Sequence, residues 1–228
     1  MIAAPLSDYH EPALVLAATM RFNREDIEKA LGHYQQLEQV AVLKRHVLES
    51  RIGIMRCSRI LGDGETVLEY VGPIIEDSET PQDIRTAAHY NRALILLDAG
   101  DPAARADLEI LAANGPHAEE ATHHLAALAL ADGDAEGCQS QVFAQLNRFG
   151  GGSDWSFHSF LLLAESYIVQ EDYFQARSSV EQLQSNIQTD WVQEACMDLL
   201  DRIVQLEQPS PSPADTTSGG NNTNPDSE

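Results

Sequence analysis

The sequence predicts an all-α chain of stacked helical hairpins, and three observations carry that prediction. Leu, Ala, Glu and Gln are abundant, aromatics make up only 6%, and runs of Val, Ile and Thr are scarce, a composition that favours helix. A short polar turn recurs five times at similar intervals. The flanks of these turns carry apolar residues at helical spacing rather than in the alternation of a strand.

The turns are Asn23-Arg24-Glu25-Asp26, Leu61-Gly62-Asp63-Gly64, Ala99-Gly100-Asp101-Pro102, Ala131-Asp132-Gly133-Asp134 and Gln170-Glu171-Asp172-Tyr173. Counted from the last Asp of each, the intervals are 37, 38, 33 and 38 residues. A period of this size is one helix, a tight turn and an antiparallel helix. The pairs fall at 11–41, 46–77, 81–114, 117–149 and 154–187. Neither helix of a pair can bury its stripe alone, so neighbouring pairs must stack.

The elements follow in order. The first helix starts at Glu11 and carries Leu14, Leu16 and Ala17, with no preceding polar helix to cover them. Its partner carries Ala30, Tyr34 and Leu37. The second and third pairs rest mainly on periodicity and turn position. In the fifth, Phe160, Leu163, Ala164 and Tyr167 recur at i, i+3, i+4 and i+7, and Ala176, Val180 and Leu183 repeat the pattern after the turn. A last amphipathic helix runs from Asp190, its expected N-cap, to Glu207, with Ala195, Leu199, Leu200 and Ile203 facing inward and Pro209 as a stop.

These residues resemble the tetratricopeptide repeat (TPR) family, whose first helix carries a large residue, Leu-Gly/Ala and Tyr, and whose second carries Ala, an aromatic and Ala. Phe160, Leu163, Ala164, Tyr167, Tyr173 and Ala176 match that order, and so do Ala18, Ala30, Tyr34 and Leu37. The second pair departs with Met55 at the small position, and Asp101-Pro102-Ala103-Ala104 shifts the alanine by one in the third. The chain is also similar to the C-terminal part of large bacterial TPR proteins, with a GHYQQLE-like helix opening the run and a Trp-bearing helix, Asp154 to Gln170, near its close. The resemblance covers about 11–207. It implies a right-handed α-α superhelix, or solenoid, of about five pairs with a C-terminal capping helix.

Formal charge narrows the partners. With 36 Asp and Glu against 14 Lys and Arg, the net charge is -22, spread through most of the chain. Such a surface repels phosphate backbones and anionic lipid headgroups, so no nucleic-acid partner is expected, whereas a basic protein face is permitted. The cysteines, Cys57, Cys138 and Cys196, are far apart, without CxxC or zinc spacing, and read as small buried residues. The N-terminal residues have no signal-peptide pattern, and apolar runs such as Phe160 to Ala164 are far too short to insert in a membrane. The chain therefore reads as soluble, cytoplasmic as given, or periplasmic if it is a fragment of an exported protein.

In the resemblance, ligands sit on the first helices. The equivalent positions here are Val15/Thr19, Ile52/Arg56, Tyr90/Leu94, His123/Ala127 and Leu161/Glu165, mostly apolar and without the Lys and Asn that clamp a terminal carboxylate in some family members. Arg56 and Arg59 add a basic spot suited to an acidic side chain or a C-terminus, or else balance Glu49 and Glu65 in solvent. The candidate protein-binding groove is thus Ile52, Arg56, Arg59, Tyr90, Leu94, His123, Leu161 and Glu165.

Signals for chemistry are weak. His117, Glu120 and His124 share a helix face and are ligand types for a metal, but no HExxH is present. Gly150-Gly151-Gly152-Ser153 precedes a helix, but Asp154 already places a negative charge there, and the run reads as a flexible connection. There is no GxSxG elbow. No catalytic residue, metal ligand or cofactor is assigned.

The segment 208–228 lacks large apolar side chains and is expected to be disordered, and 1–10 forms an N-terminal extension to the repeat domain at 11–207. The uncovered first helix suits either a C-terminal fragment of a longer array or self-association. The expected function is a non-catalytic scaffold holding a peptide or protein in a concave helical groove. The alternatives are a structural spacer within a larger bacterial envelope protein or a helical metal-dependent enzyme.

Overall fold

A computed structural model describes residues 9–208. Of the tail predicted at 208–228, all but its first residue lies outside the described residues, as do the Pro209 stop and the first eight residues. Eleven α-helices form among the described residues, with no strand. They pair in order as α1 (His10–Phe22) with α2 (Ile27–Val40), α3 (Lys44–Leu61) with α4 (Gly64–Glu76), and α5 (Gln82–Asp98) with α6 (Ala104–Ala113). α7 (Ala118–Ala131) pairs with α8 (Ala135–Phe149) and α9 (Asp154–Val169) with α10 (Tyr173–Asn186), and α11 (Asp190–Glu207) follows.

The five turns are built alike. In each, the residue before the key aspartate has a left-handed backbone: Glu25 (φ 61°), Gly62 (76°), Gly100 (65°), Gly133 (85°) and Glu171 (60°). The aspartate N–H then donates to the carbonyl five residues back, Asp26 to Arg21, Asp63 to Ser58, Asp101 to Leu96, Asp134 to Ala129 and Asp172 to Tyr167, at 2.8 to 3.0 Å. This is a Schellman closure of the first helix. The same aspartate opens the second helix. Asp63, Asp134 and Asp172 accept from the N–H of Thr66, Gly137 and Gln175 as N-caps. Asp26 instead takes Arg21 and Lys29, each at 3.0 Å.

Because each turn fixes the register, the residue four places after the aspartate enters the core in four of the five: Ala30, Val67, Cys138 and Ala176 are fully buried. In the third turn Asp101 accepts from Ala103 N–H, α6 begins only at Ala104, and the buried alanine is three places on.

The described residues divide into two compact units between Ser156 and Phe157. In the first, each helix from α1 to α7 packs on its successor, and α1 also touches α3. Its core passes through Ala18, Ala30, Tyr34, Ile54 and Cys57, then Met55, Val67, Val71, Ile74 and Ala88, then Ala93, Leu108, Leu111 and Ala121. In the second, Ala164, Ile168, Ala176, Val180, Leu183, Val192, Cys196, Leu199 and Ile203 form the centre.

Several local expectations shift. Met55, large where a small residue was expected, is nonetheless 1% exposed. The close helix approach lies two residues earlier, at Gly53, where a Cβ would fall onto the Tyr34 ring. Thr189, not Asp190, is the N-cap of α11, with extended φ/ψ, and Asp190 is the first helical residue. The buried stripe of α11 is correspondingly Val192, Cys196, Leu199 and Ile203, with Ala195 and Leu200 at its margin. The Gly150–Ser153 connection is pinned rather than loose, because Ser153 Oγ bonds Glu119 and also accepts from Ser156 N–H. On α1, Leu16 is 61% exposed while Leu14 and Ala17 are half-buried.

Candidate functional site

The first helices of the first unit carry a grooved face. One pocket of about 470 Å³ is lined by Thr19 and Phe22 of α1, Arg45, Leu48, Glu49, Ile52 and Arg56 of α3, and Ile84 of α5, with Tyr34 and Gly53 at its base. An adjoining pocket of about 400 Å³ shares Phe22 and Arg56 with it and adds Arg59, Tyr90, Asn91 and His117. A third, of about 350 Å³, is lined by Arg59, Asn91, Leu94, Ile95 and Asp98. These side chains share a face because helical positions three and four apart superpose, so each first helix presents one stripe.

The structure therefore brings Ile52, Arg56, Arg59 and Tyr90 along two adjoining pockets, with Leu94 in a neighbouring one reached through Arg59 and Asn91. His123 sits elsewhere on the first unit, its ring 5.4 Å from those of His124 and Trp155. Leu161 and Glu165 belong to the second unit, where Leu161 packs against the core. Asn91, missed in the sequence, lines two of the pockets. The only signal for it was a polar amide next to Tyr90, on a helix that carries several other polar residues.

Tyr90 is held on two sides. Its ring stacks on His117 at 3.8 Å, and its hydroxyl donates to Glu120 Oε1 at 3.0 Å. Burial and then this bond to a carboxylate raise the Tyr90 phenol above its ordinary value, so it stays a donor. Glu120 also lies 3.6 Å from His117 Nδ1 and 3.9 Å from His124 Nε2. The carboxylate that a metal site would have needed is thus committed to positioning Tyr90. Among the described residues no group of three His, Cys, Asp or Glu side chains is arranged to hold a metal ion. His117 itself precedes α7 rather than lying within it.

Arg56 and Arg59 are exposed, and neither forms an ion pair with Glu49 or Glu65 among the described residues. The buried charge of the first unit lies elsewhere, inside the α5–α6 hairpin. Asp107, 1% exposed, accepts from Arg92 Nε and Nη2 and from His89 Nδ1, each at 2.7 Å. Burial alone would raise this carboxyl, but the bonds from Arg92 and His89 outweigh it and hold it below its ordinary value. At the start of α1, Glu11 accepts from the Val42 and Leu43 N–H groups and meets His46 Nδ1 at 2.7 Å. The hydrogen bond with His46, then that from Val42, lowers the Glu11 carboxyl. All three cysteines are free and buried, and burial pushes Cys57 up to about 11, so it is inert. No helix among the described residues is long and apolar enough to cross a membrane.

Solved structures place the fold. The chain is similar to MamA protein, with a TM-score of 0.56 and 10% identity over 90% of this chain and 99% of that one. It is similar to nearly identical TPR-like repeats from a Podosopora anserina protein described as a kinesin light chain, with a TM-score of 0.54 and 16% identity over 79% and 96%. A tetratricopeptide repeat protein from Parabacteroides merdae matches with a TM-score of 0.53 and 14% identity over 90% and 81%. No protein-family model matches the chain, and no curated protein matches it in sequence. The fold is that of TPR-repeat proteins, an all-α helical repeat.

Proposed function

We propose that the chain is a non-catalytic interaction scaffold that holds a protein or peptide segment against the first-helix face of its first unit. The observation that carries this reading is the pair of adjoining pockets sharing Phe22 and Arg56, which offers one continuous contact surface along α1, α3 and α5. Its walls combine apolar side chains, Ile52, Ile84 and Met55, with a rigidly held aromatic, Tyr90, the mixture typical of binding hot spots. The face is open, several helices long and without a deep enclosure, which suits a chain segment better than a small molecule. Fold alone would not license this step, since one fold serves many functions.

Ile52→Glu and Tyr90→Ala variants test it when used as bait beside the unaltered chain in its source cells. Specific proteins retained by the unaltered chain and lost by both variants, with helical content unchanged by circular dichroism, support the reading. Retention of the same proteins by all three would sink it.

A further inference from the structure

The pocket-lining face of α3 carries Arg45, Glu49, Ile52, Arg56 and Arg59 in one stripe, each about one helical turn from the next. All three arginines are exposed, and none makes a side-chain hydrogen bond or ion pair among the described residues. The contrast with other cations is informative. Arg21, Lys29, Lys44, Arg51, Arg92, Arg105 and Arg177 each hold a carboxylate, Arg85 and Arg148 hold backbone carbonyls, and Arg24 and Arg202 are exposed single charges far apart in the sequence. In a chain of net charge -22, seven of the 14 cations hold an internal carboxylate among the described residues. Three arginines left without one on a single stripe are therefore a local excess of positive charge.

Nearby acids offset only part of that excess, with exposed Asp98 lining the Arg59 and Asn91 pocket. Glu79 at the pocket rim is held by Lys44 at 3.1 Å, which leaves Glu49, half-buried, as the acid within the stripe. Asn91 adds a second feature. It is 7% exposed, lines both the Tyr90 pocket and the Leu94 pocket, and makes no side-chain hydrogen bond among the described residues. Its amide is available to donate to and accept from a passing backbone.

We propose that this face recognises an extended acidic segment of another protein, in which carboxylates meet Arg45, Arg56 and Arg59 and a large apolar side chain between them enters the pocket of Phe22, Ile52 and Ile84. The proposal rests on the groove reading above and names its partner class. Arg45 to Arg59 spans about 21 Å along the helix, a length that an extended chain covers in about six residues. Guanidinium groups suit the task because they bind carboxylates in a bidentate fork.

The test uses the full chain as target for a phage-displayed random-peptide library, with an Arg56→Glu/Arg59→Glu double variant beside it. The proposal expects enriched peptides with Asp or Glu flanking an aromatic or branched side chain. Their affinity should fall at least about tenfold in the double variant and weaken as salt rises. Both arginines are exposed, so the variant is expected to fold, and circular dichroism checks it. Selected peptides that depend on Ile52 and Tyr90 but are neutral or basic would keep the groove and overturn the acidic class. If no peptide is enriched, or if those enriched ignore every groove variant, both the class and the groove are overturned.

Discussion

The Tyr34 ring lies against the Gly53 backbone, so that α2 and α3 meet where a side chain of any size would strike an aromatic face. Gly53→Ala should overpack this contact, costing about 1–3 kcal/mol, with helix propensity returning a fraction of that. Gly32, also inside a helix, has nothing within 4 Å of a built Cβ, and Gly32→Ala should stabilise by about 0.5–1 kcal/mol. Chemical denaturation of both variants reads the difference. Equal shifts of the same sign would contradict the packing account.

The repeated turn gives a second prediction. Glu25 and Glu171 occupy the left-handed position that Gly62, Gly100 and Gly133 fill in the other turns. A residue with a Cβ is strained there by roughly 1–2 kcal/mol. Glu171→Gly should therefore raise the stability read by chemical denaturation by about 0.5–1 kcal/mol, the strain relief being offset in part by a freer unfolded chain. Gly133→Ala should lower it by about 1 kcal/mol. A destabilised Glu171→Gly would show that the glutamate side chain makes a contact outweighing its backbone strain.

Asp107 makes a pH prediction. Its folded value is below its ordinary value of 3.8, so the unfolded chain binds the proton more tightly. The stabilisation is therefore fully present above that ordinary value and is lost as pH falls through the lower folded value. Asp107→Asn should flatten the acid limb of stability against pH. Asp107→Ala leaves Arg92 and His89 without their carboxylate and should cost about 3 kcal/mol, the low end for a broken buried pair, since Arg92 is 32% exposed. Denaturant titrations between neutral and acid pH measure both effects, and an unchanged acid limb in Asp107→Asn would refute the assignment.

These residues show where the sequence was legible. The spacing from Asp26 to Asp172 and the alternation of stripes located all five hairpins because turns and periodicity are local properties. What escaped was non-local or atypical. Glu25 and Glu171 hide a left-handed turn because nothing in a glutamate advertises positive φ. Gly53 was passed over for Met55, since which small residue marks a crossing depends on where the Tyr34 ring lands. Asp107 left a readable trace, sharing a face with the buried Ala104, Leu108 and Leu111, and an acid on an apolar stripe implies a buried partner. Of the candidate groove, Ile52, Arg56, Arg59 and Tyr90 lie on adjoining pockets because one-turn spacing along a helix is readable. Asn91 and the unpartnered state of Arg45 depend on neighbouring helices and were not readable.

Site-specific photo-crosslinking in the source cell tests the central claim most directly, with a photoreactive residue at Ile52 on the first-helix face of α3 or at exposed Glu109 on α6. The account predicts discrete protein adducts from position 52 and none of the same adducts from position 109. Identical adducts from both positions, or none from position 52, would contradict a binding face on the first helices.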